Sequence, residues 1–182
     1  MEEITQFVTN VGLITTNGPH GHNVMACEWT HQLSYTPPLI AVCIRPGKTT
    51  FENIQSSKEF GVNLAAFDQN VVASVAGNTH GKTTDKISVL KELGVEFYQA
   101  ETINALMIEG SSLNAECKLI KFIDVGDHPL LIGQVQNVKQ TEKEPLTYYQ
   151  GKYFRIGNQI HKPDQPKLDA IAELVKKHAR KL

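Results

Sequence analysis

The 182-residue sequence predicts a closed, mainly antiparallel β-barrel with a few inserted helices. Three observations predict it. Short apolar or alternating runs recur along most of the chain. Turn chemistry separates them at short intervals, as in Asn17-Gly18-Pro19, Thr36-Pro37-Pro38, Pro46-Gly47 and Gly126-Asp127-His128-Pro129. Helical periodicity is confined to a few stretches.

Composition sets the outer bounds. A chain of this length suits one domain with a real core. It is 41% hydrophobic and 20% charged, neither a disordered nor a membrane composition. A net charge of −1 argues against broad nucleic-acid binding, and no apolar run is long enough to span a bilayer. Met1-Glu2-Glu3 lacks the basic region of a signal peptide, so the cytoplasm is the expected location. Cys27, Cys43 and Cys117 are odd in number, widely spaced and set in apolar contexts. That pattern predicts reduced, buried thiols and no metal site.

Residues 8–16 read as a short helix end followed by a first strand over 11–16. Residues 17–21 form a turn and 22–29 return as a second strand, which predicts a hairpin. His20 and His22 have no third ligand nearby and read as turn residues. Ala26 and Cys27 are small, so either a flat ligand or a neighbouring strand can approach the backbone there. Ser34-Tyr35-Thr36-Pro37-Pro38 is an extended entry into a third strand over 39–44.

Arg45-Pro46-Gly47-Lys48-Thr49-Thr50 then turns the chain into a helix that starts at Thr49 or Thr50 and ends near Ser57. Thr49 and Glu52 have the spacing of a capping box. A strand end, a glycine turn, two hydroxyls, two cations and a helix N-terminus make a place for a phosphate. Helices that bind nothing also begin this way. A Walker loop is excluded, because Val42 and Ala76 stand where the two Gly-Lys-Thr runs would need an earlier glycine.

Residues 59–64 read as a strand. Asp68 is the expected N-cap of a helix through about Ala76, and 77–83 is a polar loop. A helix over 87–93 stops at Gly94. Residues 95–110 give no clear reading. Residues 113–122 and 130–138 alternate polar and apolar, which predicts antiparallel neighbours with one buried face and one wet face. Residues 144–152 read as loop and 153–156 as a last short strand. The main domain is expected over 1–160, and 161–182 form a helical extension. Leu168, Ile171, Ala172, Leu174 and Val175 make its apolar face, while Lys176, Lys177, Arg180 and Lys181 crowd its end. Its expected place is against the barrel or a second subunit.

Several segments together resemble the flavin reductase family of FMN-binding split barrels, which includes flavoredoxins and NAD(P)H:flavin oxidoreductases. They are Asn23-Val24-Met25, Trp29, Ser34-Tyr35-Thr36-Pro37-Pro38-Leu39, Arg45-Pro46-Gly47-Lys48-Thr49, Phe60-Gly61-Val62-Asn63, Asp85-Lys86, Cys117 and Gly126-Asp127-His128. They run in the family's order to about Gly157.

The resemblance implies a Greek-key split β-barrel and a homodimer with FMN near the interface. It implies that Asn23, Val24, Met25, Ala26 and Cys27 lie against the flavin ring. It implies that Arg45, Pro46, Gly47, Lys48, Thr49 and Thr50 hold the phosphate, with Asn63 and the loop around Lys82 nearby. His128 is then the candidate catalytic residue, beside the nicotinamide of NADH or NADPH. The implied activity is hydride transfer from NAD(P)H to flavin, with electrons passed on to a flavin, iron or oxygen acceptor. An electron carrier of the flavoredoxin type, or a barrel that has lost flavin, is the alternative. Ala26 and Glu28 depart from the family's usual Thr and Ser. Glu28 either faces the ring, where its charge would disfavour anionic reduced flavin, or faces away as a surface carboxylate, and pairing with His31 or Arg45 is open.

Overall fold

The computed structural model describes residues 4–179. The acidic N-terminal residues 1–3 and the C-terminal cations Arg180 and Lys181 lie outside the described residues. Among the described residues no helix precedes the first strand; residues 4–8 are irregular. The chain then runs β1 (Thr9–Asn10), β2 (Gly12–Thr16), β3 (Asn23–Cys27), β4 (Thr30–Tyr35), β5 (Pro38–Cys43), α1 (Thr49–Ser57) and β6 (Glu59–Leu64). After these come α2 (Asn70–Asn78), α3 (Lys86–Glu92), β7 (Phe97–Gln99), β8 (Leu106–Ile108), β9 (Leu113–Ile123) and β10 (Leu130–Gln140). The chain ends with β11 (Thr147–Tyr149), β12 (Lys152–Phe154) and α4 (Gln165–Lys177).

Seven strands form one antiparallel sheet in the order β3-β2-β6-β9-β10-β5-β4. Its two edge strands are consecutive in sequence: β3 ends at Cys27 and β4 begins at Thr30. Glu28 and Trp29 alone bridge them, and three Cα steps span at most about 10 Å. The sheet must therefore curl until its edges meet. Bonds from Thr30 Oγ1 to the Cys27 carbonyl (3.0 Å) and from Cys43 N to the Trp29 carbonyl (3.0 Å) tie that corner. No ladder joins β3 to β4 among the described residues, so the barrel is split at this seam. The fully closed barrel expected from the pattern is corrected to a split one, as the resemblance implied.

Successive residues of β2 serve opposite faces, and both faces are buried. Ile14 joins an inner core with Val42, Ile44, Phe51, Ile54, Phe60, Val62, Ala115, Cys117 and Leu131. Leu13 joins an outer core with Val24, Val72, Ala73, Ala76, Ile87 and Leu90, where α2 and α3 cover the sheet. The predicted β2–β3 and β9–β10 pairings are both present.

Other expectations are corrected. β4 reads polar in the sequence because it pairs only with β5, at the sheet's edge, and most of its residues are exposed. The expected extended entry is instead a hairpin turn at Thr36-Pro37, and Pro38 begins β5. The N-cap of α1 is Lys48, not Thr49, and no side chain caps it. Glu52 instead binds Lys82 Nζ (2.6 Å) and His20 Nε2 (2.5 Å), from two other loops. Asp68 pairs with Lys143 (2.8 Å), and Gln69 occupies the N-cap position of α2. α3 is capped by Asp85, which accepts from Ser88 N, and as expected it stops before Gly94, which turns the chain at φ +84° just past the C-cap Leu93. β7 and β8 pair as a hairpin inside the unread stretch, and β11 falls in the expected loop. All of α4 is exposed, so it does not pack on its own barrel.

Candidate functional site

A cleft of about 240 Å³ opens where four segments meet: the end of β3, the β5–α1 turn, the loop after α2 and the β9–β10 turn. β3 supplies Asn23, Met25, Ala26 and Cys27, and the seam adds Glu28 and Trp29. The β5–α1 turn supplies Cys43, Ile44, Arg45, Lys48, Thr49 and Thr50. Thr79, His80, Gly81 and Lys86 close one side, and His128 stands on another.

The α1 end of the cleft is built for an anion. The first N–H groups of α1 have no side-chain cap. Thr50 Oγ1 is occupied by Asn23 Nδ2 (2.8 Å). Thr49 Oγ1 is buried with no hydrogen-bond partner, and a buried polar atom left so implies a missing partner. A Cβ on Gly81 would collide with Asn23 Oδ1 and Thr49 Oγ1, so glycine is needed for that loop to lie so close.

Lys86 is buried at 3% exposure and donates to the Ala76 carbonyl (2.8 Å) near the end of α2. Burial, with the Lys48 ammonium beside it, pushes Lys86 down to about 8. Neither Lys48 nor Lys86 has an ion-pair partner among the described residues.

The other end is aromatic. The His128 and Trp29 rings meet edge-on with centroids 4.8 Å apart. Asp127 Oδ1 holds His128 Nδ1 (2.8 Å), and Asp127 Oδ2 accepts from Arg45 (2.6 Å). Those two partners, His128 first, hold the Asp127 carboxyl below its ordinary range. Arg45 thus links the α1 end of the cleft to the His128 end. Burial pushes the Cys27 thiol up to about 11, so it is an inert thiol in the wall.

The structure brings together Asn23, Met25, Ala26, Cys27, Arg45, Lys48, Thr49, Thr50 and His128 from the expected site. It does not bring in five others. Val24 turns into the outer core. Pro46 and Gly47 form the turn, with Gly47 at φ +83°, and do not line the cleft. Lys82 is taken by Glu52. Asn63 is wholly buried: its Nδ2 donates to the Leu13 carbonyl, and its Oδ1 accepts from Ile108 N and Asn114 Nδ2. The Lys82 loop that the resemblance put near the phosphate reaches the cleft through Thr79, His80 and Gly81, and sequence reasoning missed Lys86 as a site residue. One signal was present: a lysine in the first turn of a helix opposes the dipole, so Lys86 needs a reason to be there.

Residues 4–157 match the flavin reductase like domain. The chain belongs to the flavin reductase-like family. It is 30% identical over 113 residues to an uncharacterised protein of Pyrococcus abyssi, covering 62% of this chain and 63% of that one, so it spans less than two thirds of that relative. It is 29% identical over 154 residues to the flavin-dependent monooxygenase reductase subunit HsaB of Mycobacterium tuberculosis, covering 83% and 78% of the two chains. Flavoredoxin of Desulfovibrio vulgaris (Miyazaki F) shares the fold, with a TM-score of 0.78 at 22% identity over 91% of this chain and 96% of that one. Every residue lining the cleft falls within the flavin reductase-like match, and α4 lies beyond it.

Proposed function

We propose that this chain is an FMN-dependent NAD(P)H:flavin oxidoreductase, working as a homodimer with FMN near the interface. The observation that carries the reading is the α1 end of the cleft: an uncapped helix start, an orphaned Thr49 hydroxyl and two unpaired ammonium groups in one place. These fit a phosphate monoester.

Bound flavin supplies an acceptor for a hydride. The protein's part is to bind, orient and exclude water. Thr49, Lys48, Lys86 and the first N–H groups of α1 hold the phosphate, and Thr50 keeps Asn23 in place. Ala26 and Cys27 let the flat ring come close to the β3 backbone. Asp127 holds His128 through Nδ1, leaving Nε2 for the nicotinamide carboxamide, while Trp29 shields the mouth. HsaB, named as a reductase subunit, supports an acceptor that uses reduced flavin, with iron and oxygen as the other acceptors.

The test is the visible spectrum of the chain loaded with FMN, followed by anaerobic NADH and then NADPH. Bleaching of the flavin bands is expected with at least one of them. A spectrum that stays oxidised with both means an electron carrier reduced by another protein. No flavin binding at all removes the reading.

A further inference from the structure

Glu28 is the only carboxylate among the described residues that line the cleft. It stands at the β3–β4 seam and also lines two adjoining hollows, one beside Asn10 and Tyr153 and one beside Ile4 and Phe7. Neighbouring carboxylates are neutralised: Glu52 by Lys82 and His20, Asp127 by Arg45 and His128. The Glu28 carboxylate has no hydrogen bond or ion pair among the described residues, and only its carbonyl is used, by Thr30 N (3.0 Å). Arg45, one of the two partners the sequence allowed it, is taken by Asp127, and His31 does not reach it. The cleft therefore has a cationic end at α1 and an uncompensated negative charge at the seam.

We infer that Glu28 makes this site discriminate between flavin redox states, binding oxidised FMN more tightly than reduced FMN. The inference rests on the reading of the cleft as an FMN site. Hydride transfer breaks the nicotinamide C–H bond and forms an N–H bond at flavin N5. Two electrons and one proton move, NAD(P)H becomes NAD(P)+, and the flavin ring gains one negative charge. Lys48 and Lys86 do not compensate that charge, because the phosphate already occupies them. The ring charge therefore meets Glu28 at the open, exposed seam of the cleft, where solvent screens part of the repulsion. Two unit charges about 6 Å apart change an equilibrium roughly threefold in water and roughly a hundredfold at a protein-like dielectric. Weaker binding of the reduced form is, by linkage, a lower potential for the bound flavin. The consequence is functional: the site takes up oxidised flavin and releases the reduced product to its acceptor.

Anaerobic titrations of the full chain with oxidised FMN and with chemically reduced FMN test this. The variants are Glu28→Gln and Glu28→Asp, both at an exposed position. The ratio of the reduced to the oxidised Kd should fall about tenfold in Glu28→Gln and stay near wild type in Glu28→Asp. The oxidised Kd should change less than about twofold. An unchanged ratio in Glu28→Gln overturns the inference and leaves the flavin site standing. Failure of the wild-type chain to bind oxidised FMN overturns the site reading, and the inference with it.

Discussion

Lys86 is the residue whose position most needs a ligand. Burying an ammonium beside Lys48 costs stability, and the cost shows as its acidity. Its folded pKa of about 8 lies below the ordinary lysine value of about 10.4. Between those values the unfolded chain binds more protons than the folded one, so this group's contribution to stability rises with pH across that window. A bound phosphate reverses the preference by favouring the charged form. Two outcomes are expected. Lys86→Met should weaken FMN at least tenfold while changing riboflavin less than about twofold, because the lost contact is to phosphate. In the wild type, the advantage of FMN over riboflavin should shrink as pH rises above about 8, and it should be flat in Lys86→Met. Fluorescence titrations of both flavins from pH 7 to 10 read both. Equal weakening of the two ligands would remove the phosphate from this end of the cleft.

Elements are held by groups that no local pattern announces. Glu116 on β9 is buried, yet it accepts from Glu101 N (3.1 Å), Thr102 N (2.6 Å), Thr102 Oγ1 (2.7 Å) and Asn137 Nδ2 (3.1 Å). It ties the β7–β8 connection to β9 and braces the register shift between Val135 and Asn137. Burial pushes its carboxyl up, but the hydrogen bonds outweigh burial and hold it below the ordinary range. Its contribution is therefore fully present above the ordinary glutamate pKa and is lost as pH falls through the lowered folded value. Glu116→Gln should cost about 1–3 kcal/mol at pH 7 in urea unfolding. The gap to wild type should close as pH falls below about 4.

The same contrast explains what the sequence showed and what it hid. β5 was legible because its burial leaves a continuous apolar run from Leu39 to Cys43, and β2 and β6 were legible as the short stretches Gly12-Leu13-Ile14 and Phe60-Gly61-Val62, completed by buried Thr15, Thr16 and Asn63. The 45–50 turn was legible because its residues are adjacent. Lys86 was not, since it reaches the cleft only through the packing of α2 and α3. Asn63 stands apart from the cleft as a buried amide satisfied by three strands, an arrangement that no one-dimensional pattern shows.

At the scale of the whole molecule, α4 stands apart. Leu168, Ile171, Leu174 and Val175 form one stripe, and none is less than 40% exposed. Asp164 caps the helix by accepting from Lys167 N (3.1 Å), and Lys176 and Lys177 suit its C-terminal dipole. Caps alone do not sustain a helix of this length in water; an apolar stripe normally needs a surface to cover. The barrel core, in contrast, is complete without it, for no core residue comes from α4. Deleting 161–182 should therefore leave the oxidised FMN Kd within about twofold and the inner-core tertiary signal intact. The thermal midpoint carries the further information. A midpoint within about 2 °C of the full chain, at all protein concentrations, means that α4 adds nothing to the folded unit. A larger drop that shrinks as both chains are diluted means that the stripe is covered by a second copy, because only an intermolecular contact obeys mass action.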